Sequence, residues 1–88
     1  METRIAVISI IVENPESVGP LNDYLHAYSK YIIGRMGIPY QAKERKVSII
    51  SVAIDAPQDT IATLSGKIGK LPGVSAKTAY SNVINHDE

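Results

Sequence analysis

Two stretches of this sequence are apolar at almost every position, and they constrain the fold more than any other feature. Residues 4–12 read RIAVISIIV and residues 47–55 read VSIISVAID. Both are rich in β-branched residues, which favour strands. Side chains alternate between the two faces of a strand, so each face of both stretches is mostly apolar. The pattern predicts two central strands that need burial on both sides.

Each of these strands is followed by a helical pattern, in which apolar residues recur at spacings of three and four. In the first helix they are Val18, Leu21, Leu25 and Tyr28. In the second helix, predicted over residues 55–70, they are Ile61, Leu64, Ile68 and Leu71. We expect Ser17 to be the N-cap of the first helix, because this choice puts Pro20 in the first turn, where no backbone donor is needed.

Two more strands complete the pattern, at residues 31–40 and 74–83, and the charged QAKERK segment (41–46) is predicted to be a hairpin loop. The order βαββαβ predicts an α+β, ferredoxin-like fold with an antiparallel four-stranded sheet and both helices on one face. We expect residues 1–88 to form one domain, with residues 82–88 as a flexible tail.

Helices on one side leave the other face of the sheet open. Leaving several hundred Å² of aliphatic surface in water forgoes on the order of 5–10 kcal/mol of burial energy, and monomers rarely expose such a patch. We therefore predict a homodimer or homotetramer that covers this face, with the interface residues Ile8, Ile10, Ile50 and Val52. The alternative is that some positions are exposed, or that a tail covers them.

The YIIGRMGIPY stretch (31–40) has the properties of an edge strand. Pro39 lacks a donor, and Gly34 and Gly37 permit a bulge or the close approach of another backbone. Arg35 offers a planar cation for a carboxylate or phosphate, and Met36 is an adaptable contact. Arg35, Met36 and Gly37 are therefore candidate ligand-binding residues, although the glycines could merely kink an edge strand whose arginine is solvated.

The ENPES turn supplies a second candidate set. Glu13, Asn14 and Ser17 place polar groups beside a predicted helix start, whose free amides favour anions. An ordinary capped turn is the alternative interpretation.

Composition and spacing argue against several functions. The chain has nine Lys plus Arg and nine Asp plus Glu, so a zero net charge predicts no direct binding of nucleic acid. Cysteine is absent, which excludes thiol chemistry and fits the cytoplasm, and no apolar run is long enough for a membrane span. His26 and His86 are isolated, so we predict no metal site and no cofactor, leaving open whether His26 joins an inter-subunit site. No base lies at a catalytic spacing from a nucleophile.

Several segments together resemble the family of iron-only hydrogenase system regulators. They are METRIAVISIIVE, YIIGRMGIPY, VSIISVAIDAP and LSGKIGKLPGVSAKTAYS. The resemblance implies a cytoplasmic regulatory domain, similar to ACT domains and to the ligand-binding half of the nickel-responsive repressor. This chain lacks that repressor's set of His and Cys ligands, and we expect no DNA-binding segment before its first strand.

These observations together predict a non-enzymatic regulator: an oligomer that binds a small effector at subunit interfaces and acts through a protein partner. A small enzyme with an active site between subunits, or a structural adaptor, are the alternatives.

Overall fold

A computed structural model describes residues 2–40 and 44–86. The elements are β1 (Glu2–Val12), a 3₁₀ turn (Pro15–Ser17), α1 (Val18–Ala27), a second 3₁₀ turn (Ser29–Tyr31), β2 (Ile32–Ile38), β3 (Ser48–Ala56), α2 (Gln58–Gly69) and β4 (Val74–His86). The strands pair antiparallel in the order β2-β3-β1-β4. The predicted ferredoxin-like α+β fold is confirmed. Part of the predicted hairpin loop, residues 41–43, lies outside the described residues.

Two predicted boundaries are wrong. Residues 84–86, predicted only as tail, belong to β4, which pairs with β1 as far as Glu2 opposite His86. The register shifts between Arg4 and Ala6, so an irregularity interrupts the ladder there before the pairing continues to Glu2. Helix α2 starts at Gln58 and not at residue 55, because β3 continues to Ala56. The last two residues of the predicted tail, 87–88, lie outside the described range.

The hydrophobic core lies between the sheet and the two helices. Its buried residues are Ala6, Ile8, Ile10 and Val12 of β1, Val52, Ile54 and Ala56 of β3, Leu21 and Leu25 of α1, and Ile61, Leu64 and Ile68 of α2. The helix stripes therefore meet the even-numbered residues of both central strands. A stripe of this kind contributes most of a small domain's stability, because each fully buried aliphatic side chain is worth about 1.5–3 kcal/mol.

The assignment of Ile8, Ile10 and Val52 to the open face is wrong, because all three side chains are fully buried beneath the helices. Ile50, predicted with them, is half-buried and packs against the same core. Both faces of β1 and β3 are apolar, so the strand pattern by itself does not tell which face the helices cover.

The connection from β1 to α1 is locked against the turn that follows α2. The Ser17 hydroxyl donates to the Pro72 carbonyl at 2.6 Å, and the Glu13 amide donates to the Gly73 carbonyl at 2.7 Å. Helix α1 begins directly after Ser17, as predicted, but this side chain makes no capping hydrogen bond. Asn14 instead accepts from the Glu16 amide. Its side chain lies so close to Gly73 that a Cβ there would be 2.7 Å from the Asn14 Cβ.

Replacing Ile8 by Ala tests the corrected core. We expect the free energy of unfolding to fall by about 2–5 kcal/mol, because a cavity is left between sheet and helices. Urea denaturation measures this. The matched control is Ile84→Ala, at a position that is 40% exposed, where we expect a loss below about 1 kcal/mol. Equal losses at both positions would contradict the placement of Ile8.

Replacing Gly73 by Ala tests the lock between the two turns. Gly73 has φ 68°, and a Cβ would press on Asn14, so we expect a loss of at least about 2 kcal/mol in thermal or urea unfolding. Gly66→Ala is the control. Gly66 lies in α2, where an added Cβ would meet nothing within 4 Å, so Ala there should stabilise the protein by up to about 1 kcal/mol. A neutral Gly73→Ala variant would show that the turns are not locked.

Candidate functional site

A cleft of about 490 Å³ lies between helix α1 and the edge strand β2. It is lined by Asn22, Asp23, Leu25, His26, Ser29, Ile32 and Arg35. The chain turns from α1 into β2 through the short Ser29–Tyr31 segment, which sets the strand beside the helix. We call this space the α1–β2 cleft.

Arg35 crosses the α1–β2 cleft. It pairs with Val52, a core residue, and therefore lies on the helix side of the sheet. Its Nη1 donates to the Asn22 Oδ1 at 3.0 Å, which ties the guanidinium to α1. A guanidinium has five N–H donors in a planar fork, so donors are left for a ligand.

The remaining walls of the cleft combine charge with apolar surface. His26 and Asp23 are exposed, whereas Leu25 is buried and Ile32 half-buried. A small molecule could place an anionic group on Arg35 and rest an apolar part on Leu25 and Ile32. The arrangement is that of a binding site with mixed polarity.

Sequence reasoning missed Asn22 and Asp23 and left His26 open. Asn22 and His26 are four residues apart, so both lie on one face of α1. That spacing could have indicated a shared cleft, provided that β2 lies next to the helix. The chain order of a βαβ unit does place β2 near α1.

Among the described residues, Arg35 is the one member of the predicted ligand set that lines the α1–β2 cleft. Met36 pairs with Ser51 on the other side of the sheet and lines a shallow depression with Gly34, Arg35, Ser51 and Ala53. Gly37 lies opposite Ile50. The register therefore assigns Arg35 and Met36 to opposite faces of the sheet.

The first-turn residues also lie apart from the cleft. Glu13 pairs with Arg45 at 2.9 Å, both side chains being exposed, while Asn14 and Ser17 make the turn contacts described above. Ser17 is buried. Ligand binding by Glu13, Asn14 and Ser17 stays a prediction, and their observed contacts are those of a closed turn.

The second candidate surface is the face of the sheet away from the helices, which we call the open face. Residues that pair directly share a face, so the register assigns to it Ile5, Val7, Ser9 and Ile11 of β1, Gly34, Met36 and Ile38 of β2, Ile49, Ser51, Ala53 and, at its end, Asp55 of β3, and Ser75, Lys77 and Ala79 of β4. Ile5, Ile11 and Ile38 are 42–45% exposed, and Met36 is 61% exposed. A surface this apolar is typical of an interaction site.

Neither clustered metal ligands nor a membrane-spanning helix is found among the described residues. In the part of the chain that the structure describes, no three His, Cys, Asp or Glu side chains lie close enough to hold a metal ion. Helices α1 and α2 have 10 and 12 residues, and within the described ranges no helix has the length and apolar character that a membrane span requires.

Two solved structures show likeness at the level of the fold. One is a formyltetrahydrofolate deformylase from Pseudomonas putida KT2440, with 13% identity, a TM-score of 0.60, and coverage of 90% of this chain and 29% of the other. The other is CPII, a nitrogen regulatory PII-like protein from Thiomonas intermedia K12 bound to ADP, AMP and bicarbonate. It has 11% identity, a TM-score of 0.51, and coverage of 100% and 99%. No curated protein matches this chain.

A third structure is similar in sequence as well. TM1266 from Thermotoga maritima is 33% identical, with a TM-score of 0.79 and coverage of 89% of this chain and 96% of TM1266. Residues 4–78 match the sequence profile of the TM1266-like family, described as "Iron-only hydrogenase system regulator, putative". The match spans both helices, both central strands and the α1–β2 cleft. The chain therefore belongs to the TM1266-like family.

Proposed function

We propose that this protein is a non-enzymatic regulatory module that binds a small effector in the α1–β2 cleft and forms a homo-oligomer through its open face. A partner protein reads the state of the oligomer. Family membership supports the regulatory role and its link to the iron-only hydrogenase system. A zero net charge favours a protein partner over direct contact with nucleic acid. The absence of cysteine fits a cytoplasmic location.

The single observation that carries this proposal is that β2 belongs to both surfaces. Arg35 lies in the cleft and is bonded to Asn22 of α1, while its neighbours Gly34 and Met36 lie on the open face. A ligand that draws Arg35 toward α1, or releases it from Asn22, therefore acts on the strand that carries Met36. Binding in the cleft and packing on the open face are coupled through this strand, and such coupling is reciprocal.

Burial energy supports self-association. The exposed apolar residues of the open face lie on β1 and β2, and the half-buried Ile49 and Ala53 of β3 lie between them, with Ser9 and Ser51 paired at the centre. A second copy offers the same surface, so a two-fold axis would bring the two apolar faces together. Lys77 lies at the β4 margin of the face, opposite Ser9, where it would reach water at the rim of the interface.

Replacing Val7 by Lys tests the association. Val7 is 38% exposed at the centre of the open face, so a lysine can reach solvent in the free subunit but would be buried on association. An unpaired buried charge costs several kcal/mol, so we expect the dissociation constant to rise by about a hundredfold or more in sedimentation velocity. Ala62→Lys, on the exposed surface of α2, is the control. Wild-type protein that sediments as a single chain would contradict the proposed assembly.

Replacing Arg35 by Gln tests the cleft. A panel of amino acids, nucleotides and small carboxylates is screened by thermal shift, and a compound at a hundred times its dissociation constant should add about 2.7 kcal/mol of stability. We expect Arg35→Gln to abolish the shift. Arg45→Gln removes an exposed, paired arginine outside the cleft, so this variant should show the same thermal shift as the wild-type protein. A shift that survives in Arg35→Gln would place the effector elsewhere, and a folded oligomer that responds to no compound would argue for a structural adaptor.

A further inference from the structure

Three of the chain's five aromatic residues lie together where α1 and α2 meet, on the helix side of the sheet. All five are tyrosines, whereas the buried core is built from Ala, Val, Leu and Ile. Tyr24, Tyr28 and Tyr31 pack against this core and are half-buried. With Lys30 and Lys67, which contact their rings, they form a surface that we call the tyrosine patch. The α1–β2 cleft is lined by other residues, and the open face lies on the other side of the sheet.

Lys67 is held over two tyrosine rings. Its Nζ lies 6.0 Å from the ring centroid of Tyr24 and 5.4 Å from that of Tyr28, and it donates to the Tyr28 hydroxyl at 3.2 Å. The negative face of an aromatic ring attracts an ammonium in this geometry. An ammonium has three donors, so donors are left for an acceptor from outside the subunit. Lys67 is therefore a cation held in position in the free subunit, which lowers the entropy lost on binding an anion.

Lys30 lies at the other end of the same row of contacts. Its Nζ lies 5.0 Å from the centroid of the Tyr31 ring, and the centroids of the Tyr31 and Tyr28 rings are 6.5 Å apart. Among the described residues, neither Lys30 nor Lys67 forms an ion pair. Two unpaired cations at the ends of a pair of aromatic rings indicate a partner that carries negative charge.

A groove of about 290 Å³ lies beside the Tyr28 and Tyr31 rings, and we call it the tyrosine groove. Its other wall is the first part of α2, with Asp59, Thr60 and Thr63. The Asp59 carboxylate accepts from the Thr60 amide at 2.9 Å and would repel a second carboxylate at this wall. A partner must therefore place an uncharged side chain in the tyrosine groove and keep its acidic groups for the lysines.

We propose that the tyrosine patch is the docking site for an acidic segment of a partner protein. The segment places an apolar side chain in the tyrosine groove and its carboxylates on Lys30 and Lys67. This inference rests on the proposed function, in which a partner protein reads the state of the oligomer. Tyrosine suits such a surface because its ring buries a large apolar area at a small cost in side-chain entropy. The patch lies on the helix side of the sheet, so packing through the open face leaves it accessible.

A single-stranded nucleic acid is the other class of partner that stacks on tyrosine rings and binds lysines. Two observations favour the protein. The chain has nine basic and nine acidic residues, so no excess of positive charge draws it to a phosphate chain. The Asp59 carboxylate lies in the groove beside the rings, where it would repel a phosphate but not the uncharged side chain of a peptide.

A peptide of two leucines flanked on each side by two glutamates tests the docking site. It is titrated up to millimolar concentration and its binding is followed by NMR of the full chain, where we expect the largest shift changes at Tyr28, Tyr31 and Lys67. Lys67→Glu should weaken binding by about tenfold or more, because a carboxylate then faces those of the peptide. Lys67 is exposed, so this variant should fold as the wild-type protein does.

Lys46→Glu is the matched control, since it makes the same change of charge at an exposed lysine far from the patch. Lys46 lies two residues before Ser48, the first residue of β3. Tyr31 lies directly before Ile32, whose partner Ile54 is near the end of β3. The strand separates the two positions by roughly 20 Å, more than the Debye length of about 8 Å at physiological salt. This variant should bind the glutamate peptide as the wild-type protein does.

Asp59→Asn should change the affinity in the opposite direction. It removes the carboxylate from the wall of the tyrosine groove, so we expect the glutamate peptide to bind about twofold to fivefold more tightly. A gain of affinity cannot come from loss of the fold, so the two variants together separate docking from stability. A peptide with lysine in place of each glutamate should bind at least about tenfold more weakly than the glutamate peptide.

Three results would each overturn the docking site. Wild-type protein binds neither peptide, or Lys67→Glu and Lys46→Glu bind the glutamate peptide equally well, or the lysine peptide or an oligothymidine binds more tightly than the glutamate peptide. The proposed function is tested by other measurements, since sedimentation of Val7→Lys and the thermal shift of Arg35→Gln do not involve Lys67. Failure of peptide binding with both of those results as expected would overturn the docking site alone.

Discussion

The structure depends on one imbalance: its two central strands are apolar on both faces, and the two helices cover only one. The helix stripes bury the even-numbered residues of β1, such as Ile8 and Ile10, completely. The odd-numbered residues, such as Ile5 and Ile11, stay 42–44% exposed in the single chain. A domain of 88 residues has a modest core, so burial of a second apolar layer by association would add substantially to its stability. Assembly and folding are then linked, and stability should depend on protein concentration.

In the proposed assembly, strand β2 would be the means of regulation. Its helix side holds Arg35, tied to Asn22 of α1, and its other side presents Met36 to the open face. Few buried contacts fix this strand, since most of its residues are exposed. Such weakly held elements are the ones that move in switching proteins. A ligand in the cleft would therefore act on the least constrained strand of the sheet, and through it on the contacts between copies.

The fold could be predicted from the sequence because its signals are strong and agree with each other: two β-branched runs, two helical stripes and an edge strand punctuated by glycine and proline. The sequence did not predict which face of the sheet the helices cover, because Ile8 and Ile5 are equally apolar. Only the packing of Leu64 and its neighbours in α2 decides between the two faces. The sequence singled out Arg35 as a candidate because a lone fixed charge on an apolar edge is conspicuous. The sequence analysis did not single out Asn22 and Asp23, because polar residues on the outer side of a helix are ordinary. Their significance depends on the position of β2.

Paramagnetic relaxation by a soluble agent, measured on isoleucine methyl groups in the native protein, tests most directly whether a second copy covers the open face. Ile5, Ile11 and Ile84 are 44%, 42% and 40% exposed in the single chain, and Ile84 lies outside the open face. Coverage of the open face predicts strong relaxation at Ile84 and weak relaxation at Ile5 and Ile11. Equal relaxation at all three residues would mean that the open face is in contact with water, and the proposed assembly would be wrong.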